Sequence, residues 1–176
     1  MYYGVSNIRL TLDFRGVEIL LEFREATNED YDGICRLIGS KEELFLVYPG
    51  GRFPLTVDQI KKLSKIRQEL TVAVDENEII GFANLYDYER NKTAFIGNVV
   101  VDRSHRGKGL GKEIISYMLN AAFKKHNLPE VRISVFSENT RAVLLYVGFG
   151  FSPYKIEERI GPNGNRVALI HMKMER

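Results

Sequence analysis

The chain has one cysteine in 176 residues and no tryptophan, and no apolar run approaches the ~20 residues that a membrane-crossing helix needs. A lone thiol, Cys35, cannot close an internal disulfide, which excludes the stapled scaffolds of small secreted domains. The opening Met-Tyr-Tyr-Gly-Val-Ser-Asn offers neither the charged head nor the apolar stretch of a leader peptide, so a cytoplasmic protein without a membrane partner is expected. The three histidines, His105, His126 and His171, share no metal-ligand spacing with one another or with Cys35, and no metal is expected. Charge of one sign is also missing. With 25 Lys and Arg against 23 Asp and Glu, the net charge of +2 argues against nucleic acid as a partner. What is present is a 44% hydrophobic chain long enough for one domain with a substantial core.

Hydrophobic patterning divides that chain into short elements. Ile8, Leu10, Leu12 and Phe14 alternate on one face, and Val17, Ile19, Leu21 and Phe23 alternate after Arg15-Gly16, which predicts a β-hairpin. Thr27 followed by Asp30 reads as a helix cap, with Tyr31, Ile34, Cys35 and Ile38 at helical spacing. Thr56 and Gln59 form a second capping signal ahead of Ile60, Leu63 and Ile66. Three strands follow, over 70–74, 79–88 and 93–101, separated by polar turns. A helix is predicted over 109–126 with Leu110, Ile114, Met118 and Ala121 on one side, then a strand over 131–136, a short helix over 140–147, and strands over 151–158 and 167–174. The predicted order is β-β-α-α-β-β-β-α-β-α-β-β.

Residues 99–112, Val-Val-Val-Asp-Arg-Ser-His-Arg-Gly-Lys-Gly-Leu-Gly-Lys, are the most informative stretch. A β-branched run ends in a polar turn, and three glycines then alternate with Lys108 and Leu110 at the start of a helical pattern. Gly107, Gly109 and Gly111 leave backbone N–H groups uncovered at a helix N-terminus, where the dipole favours an anion. Arg103, His105, Arg106, Lys108 and Lys112 surround it with positive charge. The spacing is not that of a Walker A loop, since three residues separate Gly107 from Gly111-Lys112 and Glu113 follows. Nor does it fit the dinucleotide fingerprint, which needs G-x-G-x-x-G after the first strand of a βαβ unit.

Arg106, Gly109 and Gly111 do fit Arg/Gln-x-x-Gly-x-Gly/Ala, and Asn139-Thr140-Arg141-Ala142-Val143-Leu144-Leu145-Tyr146-Val147-Gly148-Phe149-Gly150-Phe151 fits N-x-x-A-x-x-L-Y-x-x-x-G-F at every fixed position. Together and in this order, the two segments resemble the GNAT superfamily of N-acetyltransferases. The resemblance covers roughly residues 20–174 and implies an α/β (α+β) fold: one domain around a central mixed, mostly antiparallel sheet of about seven strands flanked by about four helices. Residues 1–16 would then be an extension supplying an extra N-terminal strand, and 17–176 the N-acetyltransferase domain. An unpaired outer edge on that strand would be a template for a homodimer.

The resemblance also implies acetyl-CoA as cosubstrate, with its pyrophosphate on Arg106, Gly107, Lys108, Gly109, Leu110, Gly111 and Lys112. It places the pantetheine arm along the backbone of Val99, Val100 and Val101 and beside Asn139. Tyr146 falls where the superfamily keeps the acid that protonates the departing sulfur. Read as residues alone, Tyr146 beside Leu144 and Leu145 is a core anchor, Asn139 a helix cap, and the three valines an ordinary buried strand. The superfamily's usual strand acid has no counterpart: its place falls on Phe95, and Ala94, Ile96, Gly97 and Asn98 carry none. Asp87 and Glu89 share a strand face and are the remaining candidates for a base, alongside a water chain or no dedicated base for an acceptor of lowered pKa. His171 reads as a satisfied strand residue and Cys35 as core.

The acceptor side would be built from 44–54 and 159–166. The first is aromatic with one basic residue and no acid, which disfavours a polycationic acceptor. A peptide N-terminus, a lysine or a small amino compound fits, by direct attack in a ternary complex, since no nucleophile for an acyl-enzyme is evident. The alternative is a non-catalytic acetyl-CoA-binding or sensing module that lost turnover with its base.

Overall fold

In the computed structural model, residues 6–11 and 18–176 are described, with side chains from Leu21 onward. Eight strands form one sheet: β1 (Ser6–Thr11), β2 (Glu18–Glu25), β3 (Gln68–Asp75), β4 (Glu78–Glu89), β5 (Thr93–Val101), β6 (Glu130–Phe136), β7 (Ser152–Ile160) and β8 (Arg166–Glu175). Their spatial order is β1-β2-β3-β4-β5-β6-β8-β7, and every neighbouring pair is antiparallel except β5 with β6. The mixed, mostly antiparallel sheet and its extra first strand are as expected. The hairpin turn at Arg15-Gly16, with Leu12, Phe14 and Val17, lies outside the described residues.

Strand alternation gives the sheet two buried faces. Leu70, Val72, Val74, Phe82 and Val100 project to one side, under α1 (Tyr31–Arg36), α2 (Lys41–Val47) and α3 (Val57–Ser64). Ala73, Ile80, Ala94, Ile96, Val131 and Ile133 project to the other, under α4 (Leu110–Asn120) and Tyr146 of α5 (Thr140–Phe149). The predicted stripe of α4 holds: Leu110, Ile114 and Met118 are at most 2% exposed. At Gly81 of β4 a side chain would collide with Ile114 Cδ1, 2.7 Å from where a Cβ would sit, so the missing side chain lets α4 seat on the sheet. After Asn120 the helix widens into one π turn over Ala121–Lys125, and with it α4 supplies the crossover that a parallel β5–β6 pair requires.

Two sequence expectations need correction. Ile66 was expected on the apolar face of α3, yet the helix stops at Ser64 and Ile66 is 74% exposed. A fifth helix, α2, occupies residues expected to be loop. Its signal was present: Ser40 and Glu43 are the S-x-x-E of a capping box, and Ser40 Oγ accepts the Glu43 N–H at 3.1 Å. The capping box at Thr27 and Asp30 is formed, opening a 3₁₀ turn that runs into α1.

Asp30 also locks this entry to the sheet. Its two oxygens accept from both terminal nitrogens of Arg24 on β2, at 2.7 and 2.8 Å, and Oδ2 accepts the Thr27 N–H at 2.7 Å. Burial alone would raise the Asp30 pKa, but the Arg24 and Thr27 hydrogen bonds outweigh it and hold the group below the usual carboxylate range. A depressed folded pKa means the stabilisation is complete above the unfolded value of about 3.9 and drains away as pH falls through and below it. Asp30→Asn is expected to lower unfolding free energy at pH 7 by about 1–3 kcal/mol. Urea titrations at pH 7 and pH 3 check this: the gap between parent and variant should shrink at the lower pH, and an equal gap at both would contradict the assignment.

Candidate active site

The site follows from the place where β5 and β6 come apart. Parallel pairing of β5 with β6 runs from Thr93↔Glu130 to Ile96↔Ile133 and stops, so Gly97–Val101 have no β6 partner. On the other side β5 stays bonded to β4, through Phe82↔Val100 and Gly81↔Val101, with a bulge between Asn84↔Gly97 and Phe82↔Val100. Asn98 lies in that bulge with φ 52°, a left-handed conformation that Asn tolerates better than most residues. Its amide donates to the Val47 carbonyl at 3.0 Å and its oxygen accepts from Asn84 at 2.7 Å. The bulge is thereby tied to the end of α2, and α2 roofs the opening: Phe45 stacks on Phe136 of β6 with ring centroids 4.4 Å apart.

A cleft of about 440 Å³ fills this opening, lined at one end by His105, Arg106, Gly107 and Gly111, along its floor by Val99, Val100 and Val101, and at the inner end by Asn139, Leu145 and Tyr146. The predicted residues are therefore brought together, with four exceptions. Leu110 is buried beneath the loop, and Lys108, Gly109 and Lys112 are exposed and do not line the cleft itself. Glu43, Leu46 and Val47 of α2, and Arg141 and Ala142 of α5, line it without having been singled out.

At the loop end, Gly107 and Gly109 take positive φ, +80° and +90°, which only glycine adopts freely. That path leaves the N–H groups of residues 107–111 without a hydrogen-bond partner among the described residues, at the N-terminus of α4. Lys108, Lys112 and Arg141 form no ion pair among the described residues. Arg103 and Arg106 do: Glu43 Oε2 accepts from Arg103 at 3.2 Å, and Glu43 Oε1 pairs with Arg106, whose Nε also donates to the Val101 carbonyl at 2.9 Å. Burial alone would raise the Glu43 pKa, but the Gly39 N–H and Arg106 outweigh it, so the carboxylate stays charged. Arg103 and Arg106 are thus used to brace the roof against the loop. The free anion-attracting groups are the backbone N–H groups and the lysines, an arrangement suited to a phosphorylated ligand.

At the inner end the Tyr146 ring is buried and its hydroxyl makes no hydrogen bond among the described residues, while the cleft runs past it. Burial, reinforced by the nearby Tyr86, pushes its phenol well above the ordinary value, so it carries its proton throughout the working pH range. Asn139 does both things open to it: Oδ1 accepts the Ala142 N–H at 3.2 Å as the cap of α5, and the residue lines the cleft. Asp87 and Glu89 are exposed and line no part of the cleft. Cys35 packs against the α1–α3 core, and burial pushes its thiol up to about 11, far from a nucleophile.

The Acetyltransferase (GNAT) family model matches residues 39–151. The chain belongs to this family. A curated relative, the spermine/spermidine N(1)-acetyltransferase of Bacillus subtilis, is 28% identical over 82 residues, 43% of this chain and 54% of the relative. The chain thus spans about half the length of this and a second spermine N(1)-acetyltransferase relative. Among solved structures, the spermidine N-acetyltransferase of Vibrio cholerae in complex with CoA and spermine superposes with a TM-score of 0.74 at 21% identity, over 88% of this chain and 95% of that one. An N-acetyltransferase of Staphylococcus aureus Mu50 does so with a TM-score of 0.69 at 19% identity, over 88% and 98%. At such identities the superpositions establish the fold. Family membership also accounts for the motif carried by Arg106, Gly109 and Gly111, which lies inside the matched segment.

Proposed function

We propose that this chain transfers the acetyl group of acetyl-CoA to a primary amine. One observation carries the reading: an unpaired N–H cradle at the start of α4 opens into a cleft that runs along a free strand edge and ends at a buried, protonated tyrosine. The family membership and the amine acetylation named for its relatives support it. The cradle of residues 107–111, with Lys108 and Lys112, would hold the pyrophosphate, and the free edge of Val99–Val101 would pair with the amide groups of the pantetheine arm, beside Asn139. Acetyl-CoA supplies an activated thioester, whose carbon an uncharged amine attacks directly. Backbone N–H groups of the unpaired edge are the available donors for the oxyanion. Tyr146 donates its proton toward the sulfur as the thiolate departs. The burial that raises the phenol also penalises a thiolate at that end of the cleft, so the two groups remain matched for transfer.

The second reading is a binding module without turnover, favoured by Phe95 standing where the superfamily has an acid. A free-thiol assay decides between them. Acetyl-CoA is offered with peptide N-termini, lysine peptides, polyamines, amino acids and aminoglycosides in turn. Thiol release with one class is the expected result and identifies the acceptor. Stabilisation by acetyl-CoA without release from any amine would favour the binding module. Spermine and spermidine head the panel because of the relatives, whereas the acid-poor segment 44–54 favours acceptors carrying a single amine.

A further inference from the structure

An amine that attacks must first lose a proton, since an alkylammonium of pKa about 10.4 has no free lone pair at neutral pH. Neither Asp87 nor Glu89 lines the cleft to take it. A second, smaller cavity of about 50 Å³ continues from the cleft past Tyr146, sharing Leu46, Val47, Val99, Asn139 and Tyr146 with it. Ser134 lines this cavity, at the first position of β6 beyond its pairing with β5. The Ser134 Oγ is 2.8 Å from His171 Nδ1 on β8, and His171 Nε2 is 2.9 Å from Glu157 Oε1 on β7. Three residues from three strands thus form an unbroken chain from the inner end of the cleft to the protein surface.

Partner chemistry sets the direction of that chain. A carboxylate only accepts, so His171 carries its proton on Nε2 and presents Nδ1 as an acceptor to the Ser134 hydroxyl. Hydrogen bonds from Lys155 and His171 hold Glu157 down to about 2, so it is ionised throughout the pH range of the assay. Other groups around the imidazole are compatible with this. Lys155 and Arg159 on β7 are themselves bound to Glu157, and Tyr154 on β7 and Phe95 on β5 pack near the ring with centroids 6.1 and 6.5 Å away. Arg132 on β6 lies over the Phe95 and Tyr154 rings, Tyr86 on β4 adjoins Ser134, and Lys173 on β8 is taken up by Glu130 and Glu175.

Resting on the acetyl-transfer reading, we propose that Ser134, His171 and Glu157 are the proton relay that replaces the absent strand acid. Before the attack, one N–H bond of the bound ammonium breaks, its electron pair staying on nitrogen, and the proton passes to Ser134 Oγ. The Ser134 hydroxyl proton passes in the same event to His171 Nδ1. The imidazolium formed is stabilised by Glu157 and releases one proton to solvent, and exchange with solvent restores the Nε2–H tautomer before the next turnover. Ser134 is the group that meets the acceptor, while His171 and Glu157 act through it. The arrangement has a counterpart elsewhere in the molecule that lacks this access: His126 is held 2.8 Å from Glu69 and 3.2 Å from Tyr88, but none of the three lines either cavity.

The test is kcat between pH 6 and pH 9 for the parent chain, His171→Gln, Ser134→Ala, the double variant and His126→Gln, using each amine of the panel that the parent acetylates. At pH 7 each relay variant is expected to lose about 10- to 100-fold in kcat. The loss should shrink toward pH 9 as more amine is already uncharged, and the double variant should be no slower than the slower single one. His126→Gln should match the parent, and calorimetric titration should give unchanged acetyl-CoA affinity in every variant. A loss constant with pH, or matched by weaker acetyl-CoA binding, would make the triad structural and overturn the relay. Acetylated Ser134 in an intact mass spectrum would overturn it in favour of a nucleophile. A parent that acetylates while His171→Gln behaves identically defeats the relay alone, whereas a parent inert toward every amine defeats the acetyl-transfer reading and the relay with it.

Discussion

Gly109→Asp is expected to abolish acetyl-CoA binding while leaving a folded protein. Gly109 holds φ at +90° immediately before α4, and an L-residue there costs about 1–2 kcal/mol. If the loop keeps its path, that strain appears as lost stability and the new carboxylate stands among N–H groups that await an anion. If the loop relaxes, the N–H groups of 107–111 no longer converge. Charge-assisted hydrogen bonds of this kind are worth about 1.5–3 kcal/mol each, so losing one and adding repulsion exceeds about 3 kcal/mol, more than 100-fold in affinity. Gly109→Ala separates the two effects, because it carries the strain without the charge and should cost about tenfold. Thermal denaturation with and without acetyl-CoA reads both. Acetyl-CoA should raise the melting temperature of the parent, raise that of the alanine variant less, and leave the aspartate variant unmoved. An aspartate variant stabilised as strongly as the parent would remove the loop from the binding site.

The loop and the Asn139–Phe151 segment could be read from sequence because backbone requirements fix residue types there. Positive φ demands glycine, the cap of α5 demands a short polar side chain, and both survive without any tertiary knowledge. The strand splay left no such trace, since Val99, Val100 and Val101 look the same whether a β6 partner is present or absent. Helix α2 was missed for a different reason. Seven residues, Lys41–Val47, are too few for apolar periodicity to separate helix from loop, and the aromatic, Pro- and Gly-containing stretch after them dominates the pattern. Yet Ser40 and Glu43 carried the start signal of that helix, although the pairing of Glu43 with Arg106 is tertiary and had no local trace. The chain Ser134–His171–Glu157 was illegible because it exists only through pairing. His171 sits opposite Ser134 across β6–β8, and β7 delivers Glu157 from the far side. Sequence reasoning treated His171 as a satisfied strand residue, which it is; the partners that satisfy it are what give it further interest.

Tyr146→Phe should lower kcat about 100-fold or more without changing acetyl-CoA affinity. The ring is the structural part of this residue. It packs edge-on to Phe151 at 6.1 Å between centroids and stays in place in the variant, so folding stability should be unaltered. The hydroxyl has no hydrogen bond to lose among the described residues, so its removal strands no buried partner there. A tyrosine kept only as a core anchor would therefore be replaceable by phenylalanine at no cost in rate. A tyrosine kept as an acid loses the proton that meets the departing sulfur, an interaction made in the transition state and absent from ground-state binding. The pattern that follows is a loss confined to kcat, with the dissociation constant of acetyl-CoA preserved. Burial and Tyr86 raise the phenol, so no loss of activity on the alkaline side below about pH 10 should be traceable to Tyr146 in the parent. Any alkaline change seen there belongs to the acceptor amine or to the free thiol of the product. Rates measured for both proteins from pH 6 to pH 10 therefore separate the acid from the relay. Removing Tyr146 should shift the whole profile down without changing its shape, whereas removing His171 should change the shape. A Tyr146 variant that loses acetyl-CoA affinity as much as rate would return the residue to the core and leave departure of the sulfur unassisted.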